Sequence, residues 1–186
     1  MNQKPLFLNK DQACFLLIDL QQRFIPAMEQ SEYELIRKNI IILSQAAKIL
    51  NIPLLYTQQY TKGLGNTDPL ILSHIDGEHI EKNCFSCYGE DCFIESIEKT
   101  GRKQILIAGI ETHICVLQTA LDLLEKGYDV MVLEDAVMSR TSRNKKTALD
   151  YLAQSGAWIG CLELALFQIL KKSGSPEFKE ISSLIK

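Results

Sequence analysis

The sequence predicts an α/β fold: a Rossmann-like three-layer α/β/α arrangement around a central, mostly parallel sheet. Three observations carry this expectation. Apolar runs of strand length alternate with amphipathic helical patterns along the whole chain. The strand candidates are near-continuous apolar runs, as expected of strands buried on both faces. Glycines fall just after the helical patterns, where left-handed caps end helices.

Taken in order, ACFLLI (Ala13–Ile18) reads as the first strand, because it does not alternate. Residues 33–50 place Leu35, Ile36, Ile40, Leu43, Ala46, Ala47 and Leu50 on one stripe of a helix. IPLLYT (52–57) is a second strand, and residues 91–100 form a short helix stopped by Gly101. QILIA (104–108) is a third strand, followed by a helix over 113–126 that ends before Gly127. DVMVL (129–133) is a fourth strand, 141–155 a helix ending before Gly156, and 157–160 a short fifth strand. A helix over 162–171 follows, then SGSPEFKEISSLIK, a turn plus one small helix expected to pack on a neighbouring subunit. Residues 60–89 break the rhythm with Gly63, Gly65, Pro69 and Gly77, and read as one long functional loop.

Composition narrows the function classes. The 186 residues fit a single domain over 1–186, and 23% charged with 46% hydrophobic is ordinary globular usage. A net charge of −3 with interspersed signs gives no basic stripe, so no nucleic-acid partner is expected. No segment reaches the ~20 apolar residues of a membrane span, and the N-terminal stretch has no signal-peptide core. The expected compartment is therefore the cytoplasm, with the 6 cysteines as reduced thiols.

Ligands of open parallel sheets gather beyond the carboxyl ends of the strands. Asp19 follows the first strand there, Gln58 and Gln59 follow the second, and Gly109 to Cys115 follow the third. The loop carrying Lys82 should overhang the same edge. Taken singly, Asp19 could be a turn former, Lys82 a solvated charge and Cys115 a small core residue. Together they make a thiol chemistry. A helix start and the Lys82 ammonium would both favour the Cys115 thiolate, Asp19 would shuttle its proton, and N–H groups around Glu111 and Cys115 would face an oxyanion. This is acyl transfer through a thioester.

At these residues the chain resembles the isochorismatase-like cysteine hydrolase family. FLLIDLQQRF is similar to the D-x-Q-x-x-F opening, through Asp19, Gln21 and Phe24. EKNCFSCY resembles the segment of the family lysine, here Lys82, and AGIETHICVLQTALDLLEKGYDV the nucleophile segment, with EDAVMSRT after it. PEFKEISSLIK and QQYTKGLG resemble the isochorismatase domain-containing protein subgroup. The resemblance implies an Asp19–Lys82–Cys115 triad, a non-proline cis peptide at Ile110–Glu111 and a homo-oligomer. It implies a hydrolase of a small-molecule amide, carbamoyl or ester substrate. Gln21, Phe24, Tyr60, Phe85 and His113 are the candidate substrate-binding residues. The Asp-x-His metal motif of nicotinamidases is replaced by Gln58, Gln59 and Tyr60, so no metal and no cofactor are expected.

Other constellations weigh less. Cys84-x-x-Cys87 with Cys92 and His79 fits no common zinc spacing, and it precedes a Tyr-Gly loop rather than opening a helix as a redox pair would. His113 and Cys115 stand two residues apart, so on a helix their side chains diverge. IDLQQRF contains no glycine, which excludes a dinucleotide fingerprint. Two rivals remain: a catalytically idle oligomeric binding protein of this fold, and a thiol redox protein using Cys84 and Cys87.

Overall fold

The computed structural model describes residues 5–186. Six strands form one open sheet: β1 (Ala13–Ile18), β2 (Leu54–Gln59), β3 (Ile80–Lys82), β4 (Gln104–Ile110), β5 (Asp129–Met138) and β6 (Trp158–Gly160). Their order is β3-β2-β1-β4-β5-β6, and every pairing is parallel. The sheet is thus all parallel rather than mostly so. The strand order reverses between β1 and β4, which opens a crevice above their carboxyl ends.

The longer helices are α1 (Gln30–Leu50), α4 (Asp91–Thr100), α5 (Leu117–Glu125), α6 (Ser142–Ser155), α7 (Leu162–Leu170) and α8 (Pro176–Ile185). The side chains of β1 show how the layers close. Ala13, Phe15 and Leu17 join a core shared with α1, α7 and α8, while Cys14, Leu16 and Ile18 join a second core shared with α4, α5 and α6. Alternate residues therefore point into opposite cores, and a strand with two buried faces has to be apolar throughout.

Several expectations are corrected. Helix α1 starts three residues before the apolar stripe, because Glu29 accepts hydrogen bonds from the Ser31 and Glu32 N–H groups. The second strand is shifted two residues on, to Leu54–Gln59, since the turn after Asn51 occupies the Ile52–Pro53 step. Residues 60–89 are not one structureless loop: they hold the one-turn helices α2 (Thr61–Leu64) and α3 (Pro69–Leu72), then β3. Buried polar side chains pin this segment. Gln58 Oε1 accepts from Thr67 N–H at 2.7 Å, and the Tyr33 hydroxyl donates to Asp68 at 2.9 Å. Helix α8 lies on α1 and α7 of its own chain, with Ile181 fully buried.

Strand β5 runs five residues further than its apolar run. Its pairing with β4 slips between Ile107 and Gly109, so that Gly109 and Ile110 face Val137 and Met138. This irregularity carries Arg140 up beside the end of β4.

Candidate active site

Four strand ends build the site. Asp19 follows β1, Gln59 ends β2, Lys82 ends β3, and Glu111 follows β4. Close approach of β1 and β4 depends on Gly109, whose φ is +134°; a Cβ there would sit 2.2 Å from the Ile18 carbonyl oxygen. Asp19, the residue after Ile18, turns out of the strand with φ of 52°. Short polar residues tolerate that left-handed conformation best among non-glycines.

The carboxylate and the ammonium meet. Lys82 Nζ lies 2.7 Å from Asp19 Oδ2, with both side chains wholly shielded from solvent. Asp19 Oδ1 accepts from the Thr57 hydroxyl at 2.7 Å. The remaining Lys82 partners are Gln59 Oε1 at 2.5 Å, the Phe85 carbonyl at 3.1 Å and the Cys84 carbonyl at 3.2 Å. Oδ2 thus has the Lys82 ammonium as its charge partner. The Cys115 thiol reaches this same carboxylate and ammonium. All three triad candidates therefore converge.

Cys115 sits in the first turn beyond β4. Thr112–Val116 form a π-type turn in which Val116 N–H donates to the Glu111 carbonyl at 3.3 Å, and α5 continues from it. The Ile110–Glu111 peptide bond is cis.

The resting electrostatics differ from the sequence expectation of a low-pKa thiol. Burial pushes the Cys115 thiol up to about 12, and the Asp19 carboxylate adds to the rise; Lys82 and its hydrogen bond pull the other way without prevailing. Burial likewise raises Asp19, against the pull of Lys82. Burial alone would lower Lys82, yet the anions of Asp19 and the cysteines around it hold it above its ordinary value. Burial thus favours the neutral thiol at Cys115, beside the Asp19–Lys82 pair. Sequence could not show this, because solvent exclusion belongs to the assembled site.

Cys115 opens onto a cavity of about 350 Å³ lined by Phe24, Ala27, Leu64, Phe85 and Ile114, with Gln59, Glu111 and Arg140 as the polar wall. Phe24 and Phe85 were expected there. Gln21, Tyr60 and His113 are not among the lining residues. Gln21 is buried and clamps the end of β2, accepting from Gln59 N–H at 2.7 Å and donating to the Gln59 and Gly65 carbonyls. Tyr60 caps α2 and is half exposed. His113 turns to α6, with Nδ1 3.0 Å from Ser139 Oγ and Nε2 3.3 Å from Asn144.

Sequence reasoning missed Gln59 as a Lys82 ligand, and it missed Arg140. Arg140 Nε donates to both Glu111 carboxylate oxygens at 3.1 Å and its N–H to one of them at 2.9 Å. The polar SRT that ends EDAVMSRT was the available signal.

Among the described residues, no group of three or more His, Cys, Asp or Glu converges as metal ligands, and no helix is long and apolar enough to cross a membrane. Cys87 is buried and Cys84 exposed, both as free thiols.

An open, all-parallel sheet with polar residues converging over its switch point defines a Rossmann-like, doubly wound α/β protein. The chain belongs to the isochorismatase family: the isochorismatase domain matches residues 13–163. It is 45% identical over 147 residues to a secreted isochorismatase effector of Phytophthora sojae, covering 76% of this chain and 70% of that protein. It is 37% identical over 170 residues to isochorismatase domain-containing protein 2 of Danio rerio, covering 91% and 85%. Among solved structures, MAR1 ribonuclease of Caenorhabditis elegans superposes with a TM-score of 0.88 at 33% identity, covering 96% and 91% of the two chains. An octameric hydrolase of unknown specificity from Escherichia coli superposes with the same TM-score of 0.88 at 25% identity, covering 97% and 92%.

Proposed function

We propose that this protein is a metal-independent cysteine hydrolase that cleaves a small amide, carbamoyl or ester substrate through a thioester on Cys115. One observation carries the reading: a fully buried Asp19–Lys82 pair at 2.7 Å with the cavity-facing thiol of Cys115 in its reach.

The raised thiol pKa fits a mechanism in which no free thiolate waits. As Sγ attacks the substrate carbonyl carbon, its proton passes to Asp19 Oδ2. The Lys82 ammonium then faces both the new acid and the sulfur. Backbone N–H groups of Glu111 and Cys115 receive the carbonyl oxygen as it becomes an oxyanion. Collapse breaks the bond to the leaving group, which takes the proton from Asp19, and a thioester remains. Water then attacks the thioester, Asp19 accepts its proton, and the released sulfur recovers it.

The same raised pKa is what a catalytically idle binding protein would show, and one experiment separates the two. The full-length protein is screened against small amides and esters, with mass spectrometry of the acyl-enzyme. Turnover with an adduct on Cys115, lost in Cys115→Ala, supports the hydrolase. Turnover retained in Cys115→Ala, or no adduct across the panel, overturns it.

A phosphodiester-cleaving reading, prompted by the structural relative named a ribonuclease, is less well supported. Lys82 and Arg140 already face carboxylates, and the chain carries a net charge of −3. Self-association is part of the proposal and draws support from the octameric relative.

A further inference from the structure

The polar groups around Cys115 are committed to one another. Gln59 Oε1 accepts from Lys82 at 2.5 Å, and its Nε2 donates to the Asn83 carbonyl at 2.8 Å. The Lys82 ammonium has Asp19 as its counter-ion. The Arg140 guanidinium has Glu111, whose side chain is only 5% exposed. Arg140, the cation in the cavity lining, and Lys82 behind it thus each have their own anion. Moving the Cys115 proton to Asp19 redistributes charge inside the cluster and leaves its total unchanged. The other walls are Phe24, Ala27, Leu64, Phe85 and Ile114. A carboxylate or phosphate seated here would lose its hydration and find Lys82 and Arg140 already neutralised, an unfavourable exchange.

We propose that the site takes an uncharged substrate, with its amide or ester carbonyl at Cys115 and an apolar body against Phe24, Leu64, Phe85 and Ile114. This rests on the cysteine-hydrolase reading for the reaction, but the charge selectivity is a property of the cavity and is measurable without turnover. Arg140 and Glu111 act as the specificity pair: Glu111 cancels a charge that would otherwise recruit anions.

The test compares two alkylating probes of nearly equal size, iodoacetamide and iodoacetate, on the full-length protein at neutral pH. Labelling rates at Cys115 are read by peptide mass mapping. Each is divided by the rate of the same probe with N-acetylcysteinamide, an uncharged free thiol. The expected result is a corrected preference for the neutral probe of about tenfold, equivalent to about 1.4 kcal/mol. A corrected preference under about threefold, or one for iodoacetate, overturns the proposal. Glu111→Gln, which uncovers Arg140, should move the ratio several-fold toward iodoacetate; a ratio unchanged in a folded Glu111→Gln protein also overturns it. If the neutral preference holds while no amide or ester acylates Cys115, the hydrolase reading falls and the cavity assignment stands.

Discussion

Lys82 Nζ and Asp19 Oδ2 lie 2.7 Å apart in a setting from which solvent is excluded, at the ends of two strands separated by a third. Neither group could remain charged there alone, so each is the condition for the other.

The first prediction follows from that dependence. Lys82→Met is expected to lower stability by about 3–5 kcal/mol, because it strands a buried carboxylate. Urea unfolding measures it. The double variant Asp19→Leu/Lys82→Met should recover most of the loss, since no uncompensated charge remains. If the two losses simply add, the pair is not interdependent.

Shared protonation predicts an unusual pH profile for Cys115. Asp19 is raised above its ordinary value and the thiol is pushed up to about 12. Between those two values the cluster holds one proton shared by oxygen and sulfur, so the thiolate fraction does not change with pH. Iodoacetamide labelling should climb as Asp19 deprotonates, stay level through neutrality, and climb again only in strong alkali. Asp19→Asn should abolish the plateau. A single sigmoid centred near ~8.5, the value of an unperturbed thiol, would contradict this account.

Gly109 supplies a backbone prediction. Its positive φ and the 2.2 Å approach of a hypothetical Cβ to the Ile18 carbonyl leave no room for alanine. Gly109→Ala should force β1 and β4 apart, cost about 3 kcal/mol or more, and slow Cys115 acylation by displacing Asp19. Circular dichroism during urea unfolding reports the first effect. Near-native stability would show that the sheet yields there easily.

Helix α8 gives a test of where its apolar face belongs. Ile181 is fully buried against its own chain. Ile181→Ala should cost about 2–5 kcal/mol of unfolding free energy, as a core truncation does. Sedimentation should show the oligomeric state unchanged. A variant that dissociates without losing stability would place the residue at a subunit boundary instead.

Legibility varied with how far each feature depends on distant residues. β1 was readable to the residue because ACFLLI must be apolar on both faces, and Asp19 followed as the first polar position beyond it. β3 was not readable, since three residues, IEK, carry no periodicity and pair only through their backbone with 57–59. Arg140 escaped because its place beside Glu111 depends on the pairing slip within β5. His113 and Tyr60 were expected as substrate-binding residues, yet neither lines the cavity: His113 turns to Ser139 and Asn144, and Tyr60 caps α2.

The amino-acid order alone determined the alternation of strands and helices, hence a parallel sheet, and placed an acid and a thiol beyond strand ends, with an amine in a loop over the same carboxyl edge. Hydrophobic periodicity and chain connectivity are local properties, so a linear reading captures them. Which of those groups touch, which carry charge at rest, and which ions are already neutralised were decided only by the folded molecule. Those outcomes depend on distances between segments far apart in the chain and on how completely packing removes water, and neither quantity is written in any one segment.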